Sequence, residues 1–394
     1  MNENILTKEV QEFIRHNRGL DATKIALGKS PFAQVSSQEL AAQIDGLQRC
    51  VKKLPTWAFH ENIYYPNRIH IEQSSSEHTA LYKQSLIKKK SRVIDLTGGL
   101  GVDSVYMAQS AASVIHCEYN KELSQIAAHN AKAMKVNNIE FEVVNGIQYL
   151  SGQEDDYFDY VYVDPSRRKG SKRVFLLEEC EPDILANQKL FFEKGINIIT
   201  KISPLFDIHL LLEKLNWIKS VHVISVDNEC KEVLLYQKKG YIGIPKIHCI
   251  RLYRNIKNEY TFTFSQEQSA TATYSLPQKW LYDPDVSITK AGAFKSIASS
   301  FRLHKLAQHT HLYTSQNVNR DFPGRIFNIL EVQDFSSFKK HKGKLKANII
   351  TKNFPTPVKK LRKRFKINEG GELYMYFTSN QEGKQVVIFA QRID

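Results

Sequence analysis

The stretch VIDLTGGLGVDS, residues 93 to 104, decides how this chain reads. An apolar run ends in Asp95, the glycines Gly98, Gly99 and Gly101 follow, and a helical pattern begins near Val102. Glycine is required where a backbone turns sharply and approaches a ligand with no Cβ in the way, and a helix N-terminus just beyond favours an anionic group. A dinucleotide fingerprint would read G-x-G-x-x-G or A. Here Gly99-x-Gly101-x-x-Ser104 fails at its last position, and Asp95 comes too early for that motif's ribose-binding acid.

From 91 to 240, short apolar runs alternate with helical patterns. Strands are expected at RVIDL (92 to 96), SVIHCE (113 to 118), IEFEVV (139 to 144), YVYVD (160 to 164), INIITK (196 to 201), VHVISV (221 to 226) and EVLLYQ (232 to 237). Helical stretches between the first five indicate parallel crossovers. Only DNECK joins the last two, so they should form an antiparallel hairpin at one edge of a mostly parallel seven-stranded sheet. That architecture resembles class I methyltransferases rather than dehydrogenases.

Residues 1 to 85 read as a helical region. VQEFIRHN and SQELAAQIDGLQRCVKKL carry apolar positions at helical spacing, and Pro55 ends the second. Ser74-x-x-Glu77 in EQSSSEHTALYKQSLIKK reads as a capping box opening a helix to about Lys89. Beyond 240 the alternation stops. KIHCIRLYR and YTFTFSQ read as connecting strands over 241 to 276, a small α+β unit follows over 277 to 317, and 318 to 394 holds the strands ELYMYFTS and QVVIFAQR.

Charge is concentrated in one place. The net charge is +14, and residues 339 to 366 hold twelve Lys and Arg with no acid. Such a cluster can replace counterions along a phosphate backbone, so RNA or another nucleic acid is the natural partner. The N-terminus lacks the apolar core of a signal peptide and no run is long enough to cross a bilayer, so a cytoplasmic protein without a membrane partner is expected. The five cysteines are scattered singly, as in a reducing compartment. His309-Thr310-His311 has no accompanying acid or cysteine spacing, so no metal is expected.

The pattern D-x-x-x-G-x-G from Asp95 to Gly101 resembles the first motif of S-adenosylmethionine-dependent methyltransferases. That resemblance implies an acid ending strand two for the ribose hydroxyls, here Glu118, and an Asp or Asn ending strand three near the adenine, here Asn145. It also implies that Asp95, Thr97, Gly98, Gly99 and Gly101 lie against the methionine end of the cofactor, S-adenosyl-L-methionine, with EQSSSE close by.

With VDPSRRKG, KISPLFDI, KAGAFK and FPGRIF, the chain resembles bacterial class I methyltransferases carrying a ferredoxin-like segment and a THUMP-like C-terminal domain. The implied organisation is a helical region (1 to 85), a Rossmann-like methyltransferase domain (86 to 240), connecting strands (241 to 276), a ferredoxin-like segment (277 to 317) and a basic THUMP-like α+β domain (318 to 394). Many amino-methylating enzymes show Asp or Asn-Pro-Pro-aromatic after strand four. Here the tetrad is Asp164-Pro165-Ser166-Arg167, which keeps the acid and first proline. Asp164 and Pro165 are therefore the expected catalytic residues, with Asp164 taking a proton. Arg167 and Arg168 replace the stacking ring, since a guanidinium can stack on a base or clamp a phosphate. Lys201 at the end of strand five is a further expected substrate contact.

A covalent route through Cys180 is disfavoured, because that cysteine falls in an expected helix. The leading expectation is an enzyme methylating a tRNA or rRNA base. A methyltransferase of proteins or small molecules, and a non-catalytic RNA-binding protein with a vestigial fold, are the alternatives.

Overall fold

The computed structural model describes residues 1–166, 177–253 and 256–393, with the backbone of 168–169 and 172–173. Two compact units divide the chain: Met1–Lys219 with Val233–Gly243, and Ser220–Glu232 with Ile244–Asp394. Among the described residues no helix is long and apolar enough to cross a membrane.

In the first unit six helices come first: α1 (Lys8–His16), α2 (Ala22–Leu27), α3 (Ser37–Lys53), α4 (Pro55–Phe59), α5 (Arg68–Gln73) and α6 (Glu77–Leu86). Ser36 and Glu39 form a reciprocal capping box that starts α3, and Pro55 takes the first position of α4. The box expected at Ser74 is absent. Ser74 instead caps the end of α5 through its hydroxyl on the Ile71 carbonyl at 2.9 Å. Ser76 is the N-cap of α6, which stops at Leu86 rather than near Lys89. A run of serines offers several caps, and the backbone of α5 chooses between them.

The first unit then alternates: β1 (Arg92–Asp95), α7 (Val102–Ala108), β2 (Ser113–Cys117), α8 (Lys121–Ala133), β3 (Ile139–Glu142), α9 (Gly146–Ser151) and β4 (Phe158–Val163). The two-residue strands β5 (Arg168–Lys169) and β6 (Lys172–Arg173) pair with each other. Next come α10 (Ile184–Lys194), β7 (Gly195–Ile202) and α11 (Ile208–Lys214), then β8 (Ile218–Val226), most of which belongs to the second unit, and β9 (Glu229–Lys238), which belongs to the first from Val233 on. All seven expected strands form. In the first unit the order is β3-β2-β1-β4-β7-β9, parallel except for β9. Successive strands run outward from β1 in one direction and from β4 in the other, so β1 and β4 flank the switch point where open α/β sheets bind ligands.

The hairpin has the tight turn its short connection demanded. Asp227 and Asn228 both have positive φ, 51° and 62°, the combination whose twist matches a two-residue reversal. It does not lie at an edge. β10 (Lys246–Tyr253) runs parallel to β8, and β11 (Ile256–Phe262) pairs antiparallel to β10. The segment read as a connector therefore pairs with β8 within the second unit, which the alternation of strands and helices could not announce.

After α12 (Phe264–Ser269), the second unit adds β12 (Trp280–Pro284), α13 (Val286–Ala291), α14 (Ser296–Ser300), β13 (His304–Ala307), β14 (Thr310–Ser315), β15 (Gly324–Asp334) and α15 (Phe335–Phe338). It ends with β16 (Leu345–Lys346), β17 (Asn348–Thr351), α16 (Val358–Phe365), β18 (Ile367–Asn368), β19 (Leu373–Ser379) and β20 (Gln385–Arg392). Its second sheet has the order β13-β14-β12-β15-β20-β19-β17. Buried Asp283 ties several strands together: it pairs with Arg325, accepts from the Tyr376 hydroxyl at 3.0 Å and has the Lys352 ammonium at 3.1 Å. The basic window forms β16, β17 and α16. Leu361 and Phe365 are buried while Lys359, Lys360, Lys363 and Arg364 are exposed.

Candidate active site

The residues singled out from sequence gather at the carboxyl ends of the parallel strands. Asp95 ends β1, Glu118 follows β2, Asn145 precedes α9, Asp164 follows β4 and Lys201 lies near the end of β7. Hydrogen bonds run between the loops after β1, β2 and β4. Gly98 N donates to the Cys117 carbonyl (2.9 Å), Gly99 N to Glu118 Oε2 (2.9 Å), and Asp164 N to Thr97 Oγ1 (2.7 Å).

The glycines are set by what surrounds them. A Cβ on Gly98 would sit 2.1 Å from His116 Cε1, so the loop lies flat on that ring. Gly99 and Gly101 have φ of +55° and +79°, the left-handed region that side chains disfavour. The loop closes with Gly101 N on the Gly98 carbonyl at 2.9 Å, and α7 starts at once.

Beneath the loop lies a buried polar chain. Ser104 Oγ donates to Asp95 Oδ2 at 2.6 Å and lies 3.1 Å from His116 Nδ1, while Thr97 N donates to Asp95 Oδ1 at 3.1 Å. Ser104, the position that breaks the dinucleotide fingerprint, is thus the one that holds Asp95. Burial pushes the Asp95 carboxyl up to about 7, against the pull of the Ser104 hydroxyl. Burial also drives His116 down to about 3. Its Nε2 has no hydrogen-bond partner among the described residues.

Glu118 accepts from Gly99 N and, at 2.8 Å, from Asn120 N. A carboxylate offers about four acceptor positions, so it keeps capacity for a diol. Asn145 Oδ1 caps α9, accepting from Ile147 N at 3.0 Å and Gln148 N at 3.2 Å. A glycine cradle without Cβ atoms, beside an acid with spare acceptor positions, fits a nucleoside carrying an amino-acid tail.

Asp164 Oδ2 accepts from the Lys201 ammonium at 2.5 Å. Pro165 is buried and Ser166 exposed. Ser166 pairs through its backbone with Glu181, by bonds of 2.7 and 3.0 Å. Arg167 lies outside the described residues, as does the Arg168 side chain. Cys180 is not helical as expected. It follows a short 3-10 turn (Leu177–Glu179), is buried, and sits one residue from the Ser166–Glu181 pair.

Sequence reasoning missed a buried group behind the loop: Ser75, Lys83, Asp103 and Tyr162. Lys83 Nζ lies 3.0 Å from Asp103 Oδ1 and donates to Ser75 Oγ at 2.7 Å. Asp103 Oδ2 accepts from the Ser75 and Tyr162 hydroxyls, each at 2.8 Å. One signal was available. Thr79, Ala80 and Lys83 share a helical stripe, and a lysine there must be buried or disrupt packing.

The chain is similar to several known proteins. Residues 280–323 match a family model described as a ferredoxin-like domain, and 324–392 one described as THUMP domain-like. A crystal structure from Porphyromonas gingivalis W83, presented as that of a candidate methyltransferase, is 30% identical. It matches over 100% of this chain and 99% of its own length, with a TM-score of 0.88. An uncharacterized RNA methyltransferase of Mycoplasma mobile is 37% identical over 90 residues, 22% of this chain and 24% of the relative. The 23S rRNA (uracil(1939)-C(5))-methyltransferase RlmD of Vibrio vulnificus is 33% identical over 132 residues, 30% of each chain. The chain thus spans only about a quarter to a third of the length of these two relatives.

Proposed function

We propose a function on the premise that this chain belongs to the family of class I S-adenosylmethionine-dependent methyltransferases with ferredoxin-like and THUMP-like domains. It transfers a methyl group from S-adenosylmethionine to a base of tRNA or rRNA. The observation carrying this reading is the 2.7 Å bond from Asp164 N to Thr97 Oγ1, which joins the glycine loop to the Asp164-Pro165 loop at the switch point of the sheet.

Asp95, Thr97, Gly98, Gly99 and Gly101 would hold the methionine end of the cofactor, Glu118 its ribose hydroxyls and Asn145 its adenine. The cofactor supplies a methyl group already activated by its sulfonium. The remaining work is alignment and one proton transfer. With a base nitrogen as acceptor, Asp164 Oδ1 would take the proton that nitrogen releases on methylation, while Lys201 holds Oδ2. Arg167 and Arg168 contact the base or its phosphate. The exposed cations of the basic window dock the RNA backbone.

One observation favours a second reading of the same reaction class. Cys180 neighbours the loop after β4, and RlmD relatives are named for methylating uracil C5. Methylation of a pyrimidine carbon uses a thiolate that adds to the ring. Modified nucleosides in digested RNA from wild-type and deletion cells, compared by mass spectrometry, test both. A lost N-methyl nucleoside supports Asp164, and a lost 5-methyl pyrimidine supports Cys180. No difference in any RNA class refutes an RNA substrate.

A further inference from the structure

Lys83 is fully buried, and the function above gives it no task. An ammonium is withdrawn from water at a cost of several kcal/mol unless its partners compensate, so a buried lysine marks a place where a charge is needed. Its partner, Asp103, is the second residue of α7, next to Ser104 and two past Gly101. The groups around Asp103, itself in the first turn of α7, come from three places: Lys83 from α6, Ser75 from the turn before it, and Tyr162 from β4, two residues before Asp164. Tyr162 also lies beneath the ammonium, 5.9 Å from ring centre to Nζ.

We propose that Lys83 is a positioning residue for the cofactor loop: through Asp103 it fixes the first turn of α7, and so holds Gly98 to Gly101 in the shape that receives the methionine end of S-adenosylmethionine. This rests on the function proposed above. The glycine loop is held along its length by the backbone bonds of Gly98, Gly99 and Gly101, while its exit into α7 depends on side chains. Its exit is clamped on two sides by adjacent residues. Ser104 is drawn inward to Asp95, and Asp103 is drawn to α6 and β4. Burial alone would raise the Asp103 carboxyl, yet Lys83, then Lys201, and the Tyr162 and Ser75 hydroxyls keep it below the ordinary carboxylate range. Asp103 is therefore a carboxylate, and loss of Lys83 leaves it buried without its ammonium.

Calorimetry of full-length protein with S-adenosylmethionine, well below the melting temperature, tests this. In Lys83→Met, affinity should fall by about tenfold, the size of effect expected for a lost charged hydrogen-bond partner. Tyr162→Phe should give a smaller loss of affinity. The double variant Lys83→Met/Asp103→Asn removes the uncompensated carboxylate, so its melting temperature should recover while affinity stays low. Wild-type affinity in Lys83→Met, or affinity that returns together with stability in the double variant, overturns the proposal in favour of a structural role. If Lys83→Met does not fold, the double variant decides alone: weak binding supports positioning, and wild-type binding overturns it. Absence of any binding by the wild-type protein overturns the methyltransferase reading itself, and this inference with it.

Discussion

Replacing Gly98 by alanine should damage the cofactor loop through a single contact. The new methyl group would lie 2.1 Å from His116 Cε1, 2.3 Å from Nδ1 and 2.5 Å from Nε2. Carbon atoms in contact sit about 3.5–4.0 Å apart, so something must move by roughly 1 Å or more. The ring has little room to yield. It is wholly buried, held at Nδ1 by Ser104 at 3.1 Å, and packed 4.8 Å from the Phe141 ring. The loop must rise instead, stretching the Gly98–Cys117 bond and drawing Gly99 N away from Glu118. Overpacking of this kind costs ~1–3 kcal/mol. At ~2–4 °C per kcal/mol for a unit of this size, the melting temperature should fall by several degrees. Affinity for S-adenosylmethionine should fall as well, measured by scanning and titration calorimetry together. Gly99→Ala is the control, since its Cβ would meet nothing nearer than 3.8 Å and suffers only from φ of +55°, a backbone penalty of ~1–2 kcal/mol. His116→Ala in the Gly98→Ala background should restore part of the binding by making room. Gly98→Ala with wild-type affinity would refute the account of the loop.

Asp164→Ala should abolish methyl transfer in a labelled-methyl assay while leaving cofactor affinity nearly intact, and retained activity would show that the proton goes elsewhere. Asp95 and His116 should give stability a pH dependence that largely cancels. Asp95, raised in the fold from an ordinary 3.8 to about 7, holds a proton that the unfolded chain has lost, so its contribution declines as pH rises from about 4 to 7. His116, lowered from 6.5 to about 3, refuses a proton that the unfolded chain takes, so its contribution declines as pH falls over about 6.5 to 3. Asp95→Asn should expose the histidine slope and His116→Phe the opposite one, read from denaturant unfolding across pH; identical profiles would refute the assignment. Replacing the exposed Lys359, Lys360 and Lys363 by glutamate should weaken RNA binding and flatten its dependence on salt without moving the melting temperature. Unchanged RNA affinity would remove the basic window from the docking surface.

The sheet was legible because parallel strands buried on both faces read as apolar runs, and crossover helices space them. Each expected site acid sits at or just past a strand end for the same reason: a run that terminates in a charged residue has reached the carboxyl edge. What stayed hidden depends on contacts distant in sequence. Ser74, Ser75 and Ser76 are equivalent in a pattern of capping residues, and only the fold gives the first to α5, the second to Asp103 and the third to α6. Lys83 lies in a segment that also holds Lys88 and Lys89, and its burial rests on Asp103 and Ser75. Cys180 is expected in a helix, yet among the described residues Leu177–Glu179 form a 3-10 turn and Glu181 then pairs with Ser166.

The Thr97–Asp164 bond also bears on how two loops of different character serve one reaction. In-line transfer asks that nucleophile and methyl carbon approach within about 3–3.5 Å on a fixed axis. Loops anchored independently would carry independent errors, and those errors would add along that axis. β1 and β4 are hydrogen-bonded neighbours, with Asp95 opposite Tyr162, so their carboxyl ends share a starting plane. Thr97 then ties its loop to Asp164 two residues beyond Asp95, before either loop can diverge. Asp103 repeats the device behind the site, joining α7 to Tyr162 on the same strand. In the proposed reaction donor and acceptor would thus refer to β4 as a common frame, and the hydroxyl of Thr97 would contribute to geometry that the glycine motif cannot supply by itself.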